Sequence, residues 1–338
     1  MGGLGFTLAR SDGSNLTWEP LATLPSLGSM YAKTTASAAS HKLQFSAQKL
    51  TETSSIEPVA LHVSHVSTAG MAGTLRDYQR LLHEPSSDVM SAGFLHTIAF
   101  PLAAAALARA DIHASLMTLL HVRNDVTARK AVQVGDVLHI VAWVDAVTLQ
   151  HGGVSIDVVA HLYIADDDAS AGPAWSGVST YLSRGAQSSL GATVSAMAHP
   201  SSAGRQDLDR WIPPVPTGRW VIPGTAARAY ASITGDRNPL HTSTLAAKAF
   251  GFPRATVHSM YLASRALAQA GPAKDSAYRW TMQFSRPVQL PSTIDVAVTH
   301  VPRANDETSA SPNPAGFMLM GWSANRRQQH FSGTVTMY

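Results

Sequence analysis

The chain of 338 residues contains no cysteine. Disulfides, thiolate nucleophiles and cysteine-ligated zinc are excluded together. Charge is scarce as well. Asp, Glu, Lys and Arg make up 14% of the residues, where an ordinary domain has about 25%. The net charge is +3 with His neutral, and no basic run interleaved with aromatics offers a nucleic-acid surface. Long apolar runs are missing too. The longest, roughly residues 98–108, is too short to cross a bilayer. The first residues lack the apolar core of a signal peptide. These absences predict a cytoplasmic protein with no membrane span and no nucleic-acid partner. No Gly-x-Gly-x-x-Gly or Walker loop occurs, so nucleotide redox and phosphoryl transfer find no support. No Gly-x-Ser-x-Gly nucleophile elbow occurs either. There are 15 histidines, but no His-Glu-x-x-His pattern. His62 and His65 are three apart on an extended segment, so alternation predicts that they face opposite sides and do not chelate together. No metal and no cofactor are expected.

What is present is a hydrophobic fraction of 45%, enough for a well-buried globular protein. The chain also repeats itself. Val132-Gln133-Val134 returns as Val288-Gln289-Leu290, and Ser176-Gly177 as Ser332-Gly333, both at an offset of 156 residues. Ahead of each strand region a helical stretch is expected to open with a histidine, His96 in the first half and His258 in the second, offset by 162. The two offsets predict a six-residue difference upstream of the strands. In the second stretch, Val257, Met260, Tyr261, Ser264 and Leu267 follow helical spacing, and Gly271-Pro272 stops it. Alternating segments predict strands at Met117–Val122, Val137–Val147, Val154–Tyr163 and Trp175–Leu182, and again at Tyr278–Arg286, Thr293–His300, Gly316–Ser323 and Gln329–Met337. One apolar helix followed by four antiparallel strands, made twice, predicts an α+β fold with a sheet wrapped around a helix in each half. The expected halves are residues 1–184 and 206–338, joined by a Ser, Ala and Gly-rich linker at 185–205.

The densest chemistry lies in Tyr230-Ala-Ser-Ile-Thr-Gly235-Asp236-Arg-Asn238-Pro239-Leu-His241. Asp236 and His241 are five apart, and a regular strand would point them to opposite faces. Asn-Pro between them predicts a turn, because the residue before proline is pushed out of the helical region. A turn folds the two side chains toward one point, where a water can be held between a carboxylate and an imidazole. Such a pair suits acid–base work on water. The segment resembles the signature of the MaoC-like, or R-specific enoyl-CoA hydratase, family: Tyr, Gly-Asp-x-Asn-Pro-(aliphatic)-His. The resemblance covers about residues 219–338, and the first half is similar only faintly. It implies a double hotdog fold and reversible hydration of trans-2-enoyl thioesters to (R)-3-hydroxyacyl thioesters, with no cofactor. The substrate would be a thioester of coenzyme A or acyl carrier protein, and a homodimer is one expected assembly.

Asp236 is the expected general base and His241 the group that orients water and relays a proton. Asn238 either holds the turn or hydrogen-bonds the carboxylate. Gly235 and Pro239 are turn residues, and Tyr230 reads as core. The resemblance also implies a backbone N–H at the start of the central helix as donor to the thioester oxygen. That donor falls on Ser259, where the family has glycine. Shifted back by 162, the motif falls on Thr74 and Gln79, with Asp77 and His83 nearby. One active site per chain is therefore expected, with the first half shaping the acyl pocket. A hotdog thioesterase and a non-catalytic acyl-binding subunit are the alternatives. Arg254, Arg265, Arg279 and Arg286 are the candidate partners for substrate phosphates.

Overall fold

The computed structural model describes residues 8–40, 57–109, 116–117, 119–150, 153–184, 211–302, 315–325 and 328–338. The linker expected at 185–205 lies outside the described residues. Strands β1 (Thr17–Pro20), β2 (Val59–Ser67), β3 (Leu120–Ala128), β4 (Val137–Gln150), β5 (Gly153–Ile164) and β6 (Trp175–Arg184) come first in the chain. β7 (Gly218–Ile222), β8 (Tyr278–Phe284), β9 (Ser292–Val301), β10 (Gly316–Ser323) and β11 (Gln329–Met337) follow. The helices are α1 (Leu27–Ser40), α2 (Ala72–Leu82), α3 (Ala92–Leu107), α4 (Ala226–Thr234), α5 (Pro239–Thr242), α6 (Thr244–Ala249) and α7 (Ser259–Ala270).

All the strands join one sheet in the order β1-β2-β4-β5-β6-β3-β8-β11-β10-β9-β7. Leaving out β1, the order reads the same from either end once each strand is replaced by its counterpart in the other half. The halves meet where β3 pairs antiparallel with β8, from Arg123 opposite Gln283 to Ala128 opposite Tyr278. On that seam Arg279 donates to both carboxylate oxygens of Asp125, at 2.8 and 2.7 Å. The first half has six strands and the second five, against four predicted in each. The missed ones are β1, β2 and β7; β2 and β7 precede α2 and α4, and all three sit toward the outer ends of the sheet.

Helices α3 and α7 fill the two concave faces. α3 is Ala-rich and buried around most of its circumference, so it shows no polar stripe. α7 ends at Gly271 in the left-handed conformation, φ 65°. The two helices touch at Gly93, where a Cβ would stand 2.3 Å from Ser264 Oγ. Nothing larger than hydrogen fits there. The result is a double hotdog, with one continuous core shared by both halves.

The internal repeat is real, but its registers differ from those read in the sequence. The bridge between Val89 and Gln133 recurs between Thr256 and Gln289. Gln133 and Gln289 are 156 apart, as expected, whereas Val89 and Thr256 are 167 apart, not 162. Eleven fewer residues therefore separate helix from strands in the second half. Correspondingly, His96 lies inside α3, while His258 is the residue capping α7.

Candidate active site

α4 and α7 deliver the motif to one cavity. Gly235 ends α4 with φ 77°, a left-handed conformation that glycine adopts without a Cβ penalty. Asn238 is extended, as the residue before proline must be, and Pro239 opens the short helix α5. Asn238 Oδ1 accepts the Leu240 amide at 3.1 Å, and its Nδ2 donates to the Leu116 carbonyl of the first half at 3.3 Å. The side chain thus holds the turn and ties it to the first half. His241 Nδ1 lies 2.9 Å from the Thr256 carbonyl. The nitrogen must donate there, so Nε2 carries the free lone pair.

Asp236, His241 and Ser259 line the same cavity of about 110 Å³. His258 sits between the first two. Its Nε2 donates to the Asp236 carbonyl at 3.0 Å, and its ring packs 3.9 Å from that of His241. Ser259 is the first residue of α7, so its N–H has no partner within the helix and lies at the positive end of the dipole. Tyr230 is buried and packs against Tyr78, His258 and Tyr261, as a core residue would. The first half supplies the opposite wall: Phe100, Leu107, Leu116 and Leu119, with His96 and His121 among them. Neither of those histidines, nor Tyr31 from α1, was singled out in the sequence as a site residue. Tyr31 donates its hydroxyl to Asp236 Oδ1 at 2.5 Å.

The cavity keeps its imidazoles neutral. Burial takes His121 down to about 3, helped by the neighbouring His96. Burial likewise takes His258 down to about 3, with His241 adding to the effect and Asp236 opposing it. His96 falls to about 4 through burial, again opposed by Asp236. His241 is lowered by burial against the pull of Asp236. Unfolded, such rings take up a proton near pH 6.5, so below that pH the unfolded chain binds more protons than the fold. Stability from the neutral rings is complete above about pH 6.5 and is lost as pH falls toward 4 and 3. The melting temperature should therefore drop across that window, and His121→Phe should flatten the drop.

The first half contains a structural counterpart of the motif's turn, at a place the sequence offset missed. Tyr78 and His83 stand 152 residues before Tyr230 and Gly235, and His83 ends α2 in the left-handed conformation just as Gly235 ends α4. Glu84 thus corresponds to Asp236. Thr74 and Gln79 do not correspond to the motif. Asp77 is a surface residue bonded to Arg76. Glu84 is buried and held by Lys274 at 2.5 Å and by Ser91, the residue capping α3, at 3.0 Å. Since Tyr78 to Val89 spans eleven residues and Tyr230 to Thr256 spans 26, the second half carries fifteen extra residues here. They form α5 and α6, and they bring His241.

His62 and His65 also need correction. The pairing of β2 with β4 slips between Val63 and Val66, and His65 adopts φ 58°. The slip breaks the alternation. His65 packs 4.9 Å from His139, whose protonation is lowered by burial first, and then by His65 and His62. Among the described residues no three such side chains converge as a metal-ligand set. Of the four arginines, Arg279 is held by Asp125, and Arg265 lies over the Trp220 ring at 4.6 Å. Arg254 and Arg286 line a second groove of about 670 Å³, which shares Arg286, Pro287 and His330 with the cavity of Asp236 and His241.

Residues 212–311 match the family model described as MaoC like domain. Much of the second half is thus similar to a MaoC-like domain. Across 201 residues, 60% of this chain and 66% of the relative, the sequence is 27% identical to 3-hydroxyacyl-thioester dehydratase X of Mycobacterium tuberculosis. The chain therefore spans about two thirds of that relative's length. The crystal structure of HtdX from the same organism superposes with a TM-score of 0.64 at 22% identity, covering 82% of this chain and all of the other. A further M. tuberculosis protein, described as having a double hotdog fold, superposes with a TM-score of 0.52 at 12% identity, covering 81% of this chain and 92% of that one. These structural likenesses show the fold. Among the described residues, no helix is long and apolar enough to cross a membrane.

Proposed function

We propose that the chain is a hydro-lyase of fatty acid metabolism, catalysing reversible hydration of trans-2-enoyl thioesters to (R)-3-hydroxyacyl thioesters. The observation that carries this reading is the cavity shared by Asp236, His241 and the start of α7. Water is held by the Asp236 carboxylate and His241 Nε2. As its oxygen bonds to C3, Asp236 takes a proton and the double-bond electrons move toward the thioester oxygen. The Ser259 amide stabilises the charge that gathers there. C2 then takes that same proton, passed from Asp236 through His241 Nε2, so that both groups return to their starting states, and dehydration runs the same steps in reverse. The 27% identity to a protein named 3-hydroxyacyl-thioester dehydratase supports the reaction class.

The apolar wall of the first half suits the acyl chain, and the counterpart turn, its carboxylate held by Lys274, suits none. One catalytic centre per chain is the consequence. Titration with an unreactive enoyl-thioester analogue should saturate at one equivalent per chain, and His83→Ala and Asp77→Asn should leave turnover nearly unchanged. Two equivalent sites would overturn this division of labour. The protein is read as cytoplasmic, and its thiol carrier as coenzyme A or acyl carrier protein.

The groove beyond Arg286 suits the carrier's phosphates, with Arg254 as the second cation. Replacing both arginines with alanine should raise KM for crotonyl-CoA about tenfold, the loss expected for charge-assisted contacts to phosphate. KM for the N-acetylcysteamine thioester, which has no phosphate, should not change. The reaction class itself is tested by offering crotonyl-CoA and following enoyl absorbance together with free thiol. Absorbance should fall with no thiol released. Thiol release would indicate a thioesterase, and no change in either would leave a binding protein.

A further inference from the structure

Helix α1 lies in the first half, between β1 and β2, yet it reaches the motif of the second. Tyr31 meets Asp236 across 205 positions of chain. Leu27, one turn earlier, packs under Gly235, where a Cβ would stand 3.7 Å from Leu27 Cδ1. Tyr31 is 7% exposed and lines the cavity. Its 2.5 Å contact with Oδ1 falls in the short range of a hydroxyl donating to a carboxylate. Burial and the Asp236 charge both push the phenol's protonation upward, so it stays a donor.

The other groups around the carboxylate are weaker partners. The Asn238 amide reaches Oδ1 at 3.4 Å, and His258 Nε2 stays 3.7 Å from Oδ2, already committed to the Asp236 carbonyl. His96 on α3, Tyr181 on β6, Tyr230 on α4 and His241 on α5 feel its charge. The imidazoles are neutral, and no described cation pairs with Asp236. Tyr31 therefore makes the strongest described contact that fixes the carboxylate.

We infer that Tyr31 is a positioning residue for the hydration reaction: it holds Oδ1 so that Oδ2 is presented to the reacting water. The inference rests on the hydratase reading above. It makes α1 a further component of the site, contributed by the first half to the carboxylate of the second. A carboxylate free to rotate would spend less time aligned, and small misplacements of a reacting group are costly to rate.

The test is Tyr31→Phe in the full chain, which keeps the ring and removes the hydroxyl. kcat on crotonyl-CoA should fall about tenfold while KM stays within about twofold, the pattern of a contact that matters mainly in the transition state. The melting temperature should stay close to that of the parent. Isotope-edited infrared spectra supply a readout that simple packing would not move. The carboxylate stretch of Asp236, assigned by its loss in Asp236→Asn, should shift in Tyr31→Phe. An active parent with an unmoved band in Tyr31→Phe overturns the inference alone. A parent that hydrates no enoyl thioester overturns the hydratase reading, and the inference with it.

Discussion

Asp236→Asn should lower turnover by about 10²–10⁴-fold, the usual contribution of a positioned general base. The substitution keeps the shape of the side chain. Tyr31 can still donate to Oδ1, and the main-chain carbonyl that receives His258 is untouched. The left-handed turn at Gly235 and the cap at Asn238 do not involve the second carboxylate oxygen. Circular dichroism and melting should therefore match the parent. His241 is a poor substitute base, because burial already disfavours its protonation. Turnover within about threefold of the parent would remove Asp236 from the role of base.

Ser259→Pro should cost about 10²–10³-fold in kcat, the loss expected when one oxyanion donor is removed. Proline lacks the N–H and changes little else at this position. Ser259 is the first residue of α7, where proline's fixed φ is compatible with a helix. His258 before it is already extended, with φ −61° and ψ 137°, the conformation proline demands of its predecessor. Ser259→Ala and Ser259→Gly retain the amide and should keep most of the activity. The Ser259 hydroxyl meanwhile lies 3.4 Å from the His121 carbonyl, a long contact whose loss should be mild. If Ser259→Ala abolished hydration while binding persisted, the hydroxyl would be the working group and the backbone account would fail.

The strands that carry alternation, from Val137 and Val154 in the first half to Gln329 in the second, were legible with boundaries close to those observed. β7 was not. It is five residues long at the sheet edge, with too few alternations to stand out. β2 hides its period because the slip at His65 turns one side chain to the wrong face. In the site, the local part was legible, since Gly235, Asn238 and Pro239 each have a backbone reason to stand where they do. Its distant part was not. Tyr31 lies in a helix with no motif of its own, and only the folded chain brings it to Asp236. Glu84 was invisible for another reason: the fifteen residues that carry His241 break the offset on which the comparison of halves relied.

The seam between β3 and β8 has a consequence for how the two sites can change. In a pair of identical subunits each substitution is made twice, once in every copy of an isologous interface. Here one peptide holds both copies, and each position stands alone. Lysine at 274 can close on Glu84 without a second lysine closing on Asp236. Lys274 itself belongs to the second half and acts on the first, so one residue alters one carboxylate and leaves the other alone. On the proposed reading, the wall of the first half is then free to follow the shape of the acyl chain while the second half keeps the chemistry.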